Sequence, residues 1–183
     1  PIEARLGAAV LTQVNALRRH GAKMKSLKNH GHTMLNVSEI MTPRRSLVLL
    51  GPDATVSEAR RTMAAHAIRH LPIADGDGKL LGLVSLTDIL VAGDSVDQPL
   101  REIMVRAVDT IDERSNLRHA AMLMFRRKRS CLPVMRGGEL TGIITDSDFL
   151  GVAIALMEQL EAVEPESGET GPEDSEAEDR LVS

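Results

Sequence analysis

The sequence predicts an α/β protein in which two copies of one β-α-β-β-α unit pack face to face about a pseudo-twofold axis. Three echoes carry this reading. Residues 37–43 (VSEIMTP) return as residues 100–104 (LREIM), Leu71-Pro72-Ile73 returns as Leu132-Pro133-Val134, and residues 82–90 (GLVSLTDIL) return as residues 142–150 (GIITDSDFL). Their offsets are 63, 61 and 60, so order and spacing are kept with small loop changes. One echo is within reach of chance, whereas three in register mark an internal duplication.

Each element of the unit has its own local cause. A short Ile-Met helical turn leads into an apolar stretch read as a strand, residues 46–50 in the first copy and 107–111 in the second. Helices follow over residues 56–67 and 116–127, with Val56, Ala59, Met63 and Ala67, then Leu117, Ala120, Leu123 and Met124, at helical spacing. Two short strands come next in each copy, joined by Asp-Gly steps in one and Gly-Gly in the other, which are turn formers. A closing helix starts near Thr87 and near Ser147. The organisation is then an N-terminal segment (1–35), repeat 1 (36–96), repeat 2 (97–160) and a tail (161–183). The first segment holds an amphipathic helix, with Ile2, Leu6, Val10, Val14 and Leu17 on one face, followed by a basic linker. The tail is acidic, nearly free of apolar residues, and expected to be disordered.

Composition narrows the function. Apolar residues make up 43% of the 183, enough for a folded core, yet Phe125 and Phe149 are the only aromatics. That scarcity argues against nucleic-acid modules that stack bases on aromatic rings. Cys131 is the only cysteine, which excludes an internal disulfide and a thiolate zinc site and fits a cytoplasmic location. No apolar run approaches the 18 or so residues a membrane span needs. The net charge of −4 hides a strong asymmetry. Residues 1–35 carry +5, the body to residue 155 is neutral, and the remainder carries −9.

The chemistry concentrates where each second hairpin strand hands over to a helix, at Gly82-x-x-Ser85-x-x-Asp88 and Gly142-x-x-Thr145-x-x-Asp148. A glycine lets another backbone or a flat base approach the strand. Ser85 and Thr145, with Thr87 and Ser147, lie at helix N-termini, whose free N–H groups and dipole favour anions. Asp88 and Asp148 are placed to accept hydrogen bonds from both hydroxyls of a ribose, as acidic residues do in dinucleotide folds. The same Ser-x-x-Asp and Thr-x-x-Asp spacings are also helix-capping signals, and both roles remain open.

Residues 36–155 resemble the CBS domain family, and the tandem pair resembles a Bateman module. The resemblance rests on Ile40-Met41-Thr42-Pro43, both Leu-Pro strands and the two Gly-x-x-Ser/Thr-x-x-Asp motifs. It implies a non-catalytic regulatory module that binds AMP, ADP or ATP, or S-adenosylmethionine, with Mg2+ entering only alongside nucleotide phosphates. The module would signal occupancy to a separate enzyme or transporter. It also implies a homodimer, and adds Thr42, Arg69, His70 and Arg129 as secondary contacts, the cations toward phosphates. The second repeat departs from the pattern: Val105 replaces the Thr of the Ile-Met-Thr-Pro turn, and Ser130-Cys131 replaces Arg69-His70. Equal binding at the two sites is therefore not expected.

Two readings from other classes stand beside this one. A scaffolding dimer would use the repeats only for assembly. A nucleic-acid regulator would use the basic arm, although no helix-turn-helix is recognisable and the acidic tail opposes phosphate binding. Catalytic patterns are absent: there is no P-loop, no GxSxG elbow, no HExxH and no Cys/His metal pattern. His66 and His70, spaced i, i+4, have no carboxylate or thiol nearby in sequence to complete a metal set.

Overall fold

The computed structural model describes residues 35–161. The expected N-terminal amphipathic helix, most of the basic linker and nearly all of the acidic tail lie outside the described residues.

Repeat 1 opens with a single helical turn, α1 (Val37–Ile40), then a two-residue strand, β1 (Thr42–Pro43), and a 3-10 turn (Arg44–Ser46). Helix α2 (Val56–His66) starts where Thr55 accepts a hydrogen bond from the Glu58 N–H at 3.2 Å. It ends on Ala67 in the left-handed region, at φ 52°. The hairpin β2 (His70–Ala74) and β3 (Leu80–Ser85) and the helix α3 (Leu86–Ala92) complete the copy. Repeat 2 follows the same order: α4 (Leu100–Ile103), β4 (Ile111–Asp112), α5 (Leu117–Arg127), β5 (Cys131–Arg136), β6 (Glu139–Thr145) and α6 (Asp146–Glu161). Its α5 is capped by Asn116 and ends on Lys128, also at φ 52°. Lys128 thus corresponds to Ala67, and Ser130 and Cys131 to Arg69 and His70.

The strand expected over residues 107–111 is a correction, since only Ile111 of that stretch falls in β4, and the strand expected over residues 46–50 is another. Only Leu50 pairs there, in a one-residue parallel bridge to Ile73, and the stretch before it includes the 3-10 turn. Its counterpart β4 pairs twice with β5 and extends by a bond from the Glu113 N–H to the Met135 carbonyl at 3.0 Å. In repeat 1 that next position is Pro52, which has no N–H to donate.

The two copies exchange their opening segments. Strand β1 of repeat 1 pairs with β6 of repeat 2, Thr42 opposite Ile143. In return Val105 of repeat 2 bridges to Leu83 on β3 of repeat 1, with backbone bonds of 3.0 and 2.9 Å. The Val37 N–H donates to the Ser115 carbonyl before α5, and the Leu100 N–H donates to the Ala54 carbonyl before α2. Each core therefore closes with residues from both repeats. One joins Val37, Ile40 and Met41 to Leu132, Val134 and Ile144; the other joins Leu100 and Met104 to Leu71, Ile73 and Val84. Burial of these aliphatic side chains, at roughly 25 cal/mol per Å² of apolar surface, holds the repeats together as one body.

This exchange explains the two motif glycines. A Cβ on Gly82 would stand 2.8 Å from the Val105 carbonyl oxygen, and one on Gly142 would stand 2.6 Å from the Thr42 carbonyl oxygen. Met104 and Met41 sulfurs crowd the same positions. The close approach anticipated at these glycines is made by the partner repeat.

Candidate functional site

The site grows from the end of β3. There Ser85 takes the N-cap position of α3, and its hydroxyl oxygen accepts from the Asp88 N–H at 3.3 Å. Asp88 answers with Oδ2, which accepts from the Ser85 N–H and the Ser85 hydroxyl, both at 2.7 Å. Repeat 2 reproduces this: Asp148 Oδ2 accepts from the Thr145 N–H and hydroxyl, both at 2.8 Å. The capping role of both aspartates is thus realised. The Ser85–Asp88 contacts run through Oδ2 and the Asp88 N–H, and do not use Oδ1. Asp148 is buried, at 4% exposure, while Asp88 is half-buried.

Ser85 and Asp88 line a cavity of about 190 Å³ whose other wall comes from repeat 2, through Val105, Val108, Asp109 and Arg129. The exchange of opening segments places Val105, Ala107, Val108 and Asp109 there, since Val105 is bridged to Leu83, which also lines the cavity. Arg129 Nε donates to Asp109 Oδ2 at 2.9 Å. His70 and Ser130 meet at the cavity's edge, with His70 Nε2 2.8 Å from Ser130 Oγ. Burial holds the His70 imidazole below its ordinary pKa, helped by the neighbouring Arg69 charge and opposed by Asp146 and Asp88.

The remaining expected residues fall in different places. Thr87 is exposed on the first turn of α3, outside this cavity. Ser147 is exposed and turned to Asp146, its N–H 2.8 Å from Asp146 Oδ1. Arg69 also reaches Asp146, at 3.2 Å, and that engagement rather than a free guanidinium is what a phosphate would meet. Thr42 sits half-buried in β1 opposite Ile143, with its carbonyl oxygen against Gly142. Asp109 and Lys128 are cavity residues that the sequence does not announce: nothing local links the loop aspartate Asp109 to Arg129 20 residues later, and Lys128 reads only as the end of a basic helix. Among the described residues no group of three or more His, Cys, Asp or Glu side chains is placed to hold a metal ion. No helix among them is long and apolar enough to cross a membrane.

Comparison with known proteins bears on the family and the fold. The family model of the CBS domain fits residues 37–94 and 100–155. A homoserine O-acetyltransferase of Methanocorpusculum labreanum is 39% identical over 127 residues, covering 68% of this chain and 25% of its own. A CBS domain-containing protein of Dictyostelium discoideum is 32% identical over 146 residues, covering 72% of this chain and 97% of its own. The chain therefore spans a quarter of the first relative and nearly all of the second. Among solved structures, CBSX2 in complex with AMP is 27% identical with a TM-score of 0.60, covering 68% of this chain and 98% of the other. The CBS domain pair of MJ0100, in complex with methylthioadenosine and S-adenosyl-L-methionine, is 28% identical with a TM-score of 0.60, covering 68% and 99%.

Proposed function

This chain belongs to the CBS domain family, and from that premise we propose that it is a regulatory module that binds adenine nucleotides in the cytoplasm. Its role is to report occupancy to a partner enzyme or transporter rather than to catalyse. The observation that carries this reading is the cavity at Asp88. It brings the Asp88 carboxylate and Ser85 of one repeat together with the Arg129 guanidinium of the other, two repeats that a ligand would tie together. Its volume is below the roughly 300–1,000 Å³ of pockets that enclose a drug-sized ligand, so it takes part of a nucleotide and leaves the rest to solvent. Ligands named in the related structures, AMP in one and S-adenosyl-L-methionine with methylthioadenosine in another, support an adenosine moiety as the common element.

Asp88 would take the ribose hydroxyls through Oδ1, with Asp148 in the same role at the second motif. Ser85 and Thr145, with Thr87 and Ser147 on the next turn, would face phosphates, supported by Thr42, Arg69, His70 and Arg129. Homodimerisation is part of the proposal. Leu90 and Val91 on α3 are 68% and 83% exposed, and Leu150 and Met157 on α6 are 62% and 60% exposed. Light scattering is expected to return about twice the 19.8 kDa chain mass.

A scaffolding role without ligand is favoured by one observation: the Ser85–Asp88 pair forms a reciprocal capping box, and Asp148 accepts from both the Thr145 N–H and hydroxyl. Melting curves with AMP, ADP, ATP, methylthioadenosine and S-adenosylmethionine separate the two. A ligand at 100 times its Kd adds about 2.7 kcal/mol to native stability. A raised Tm with at least one of them is expected; unchanged melting with all five at millimolar concentration contradicts nucleotide sensing.

A further inference from the structure

We propose that Asp109 selects among adenosine ligands at the Asp88 cavity, by holding Arg129 in an ion pair that a 5′-phosphate must displace. The inference rests on the nucleotide-binding reading above and adds the class of ligand.

The two residues reach the cavity from different elements. Asp109 lies in the segment between α4 and β4, and Arg129 follows the left-handed Lys128 that ends α5. Their 2.9 Å contact forms part of the wall, with side chains 27% and 50% exposed for Asp109 and Arg129. The pair is therefore open enough for a ligand to reach and closed enough for its charges to be felt. A phosphate arriving at Arg129 meets a guanidinium already engaged and a second anion beside it. It must draw Arg129 Nε away from Asp109 Oδ2 and accept the repulsion of the carboxylate left behind. An adenosine with an uncharged 5′ substituent makes neither demand.

The internal duplication shows that the pair is not required by the fold. Counting from the matched helix ends at Ala67 and Lys128, the counterpart of Arg129 is Ile68; from the matched bridges at Leu50 and Ile111, that of Asp109 is Val48. Val48 and Ile68 pack against the core of repeat 1 as ordinary apolar residues. Charge at both positions is thus peculiar to the half of the molecule that faces Asp88. The Asp109–Arg129 pair is therefore a feature of the Asp88 site that the duplication does not repeat at the matched positions.

The test is calorimetric titration of AMP and of methylthioadenosine into the full chain, its Asp109→Asn variant and the Asp109→Asn/Arg129→Gln double variant. Releasing an exposed ion pair and its repulsion is expected to tighten AMP binding about fivefold in Asp109→Asn. Methylthioadenosine is expected to stay within about twofold, and the gain for AMP to disappear in the double variant. Urea melts of each variant confirm folding before titration. An unchanged ratio of AMP to methylthioadenosine affinity in Asp109→Asn overturns the role of Asp109 and leaves the nucleotide-binding reading standing. Failure of the parent chain to bind either ligand overturns both.

Discussion

The carbonyl oxygen of Val105 lies 2.8 Å from the place where a Cβ on Gly82 would stand. Gly82 belongs to the first repeat and Val105 to the second, so the contact is the point at which the two copies of the duplication are locked together. The Val105 oxygen is backbone and hydrogen-bonded to the Leu83 N–H at 3.0 Å, so it has little freedom to retreat.

Gly82→Ala is therefore expected to push the exchanged segment off β3 and lower stability by about 1–3 kcal/mol, the usual range for overpacking. Gly142→Ala is expected to behave alike, since the Thr42 carbonyl is closer still at 2.6 Å. Urea melts read both. A loss within a few tenths of a kcal/mol at Gly82 would show that the opening segment yields easily and that the exchange contributes little.

Much of this was legible in the sequence because it is local. The Leu-Pro strands, the hairpin turns, the helix stripes and the Ser85 and Thr145 hand-overs follow from spacing within a dozen residues. The pairing of Thr42 with Ile143 does not, since it joins two-residue stretches about a hundred positions apart with no periodicity to announce it. Residues 46–50 depart from the expected strand for a related reason. Their apolar run resembles a strand, yet pairing stops at Leu50 because Gly51 and Pro52 follow and Pro52 offers no donor. At the site, the aspartates were visible as a motif, whereas Asp109 acquires meaning only through its contact with Arg129.

His70 gives a pH dependence with a definite sign. Its pKa is lowered in the folded chain, chiefly by burial, so the folded state resists a proton that the unfolded chain takes up near 6.5. This contribution is fully present above the unfolded value and is lost as pH falls through the folded one. The urea midpoint of the parent is expected to drop on acidification below about pH 6.5, and His70→Gln is expected to flatten that part of the profile. A His70→Gln profile that overlays the parent below that pH contradicts the assignment.

Cys131 is buried at the start of β5, and that burial pushes its thiol up to about 12. The thiolate is the reactive form, so alkylation of the native protein at pH 8 is expected to be slow and to accelerate in step with urea unfolding. Labelling at the rate of a free cysteine peptide in native buffer would place the thiol outside the packed strand.

Calorimetric titration of AMP into the parent and Asp88→Ala, paired with urea melts of both, tests the central claim that the Asp88 motif binds a ribose as well as capping a helix. Two charge-assisted hydrogen bonds to a diol are worth about 1.5–3 kcal/mol each at most, so AMP affinity is predicted to fall tenfold or more. Stability should fall by about 1 kcal/mol from the lost cap. The same stability loss with AMP affinity equal to that of the parent would contradict the account and leave Asp88 as a capping residue alone.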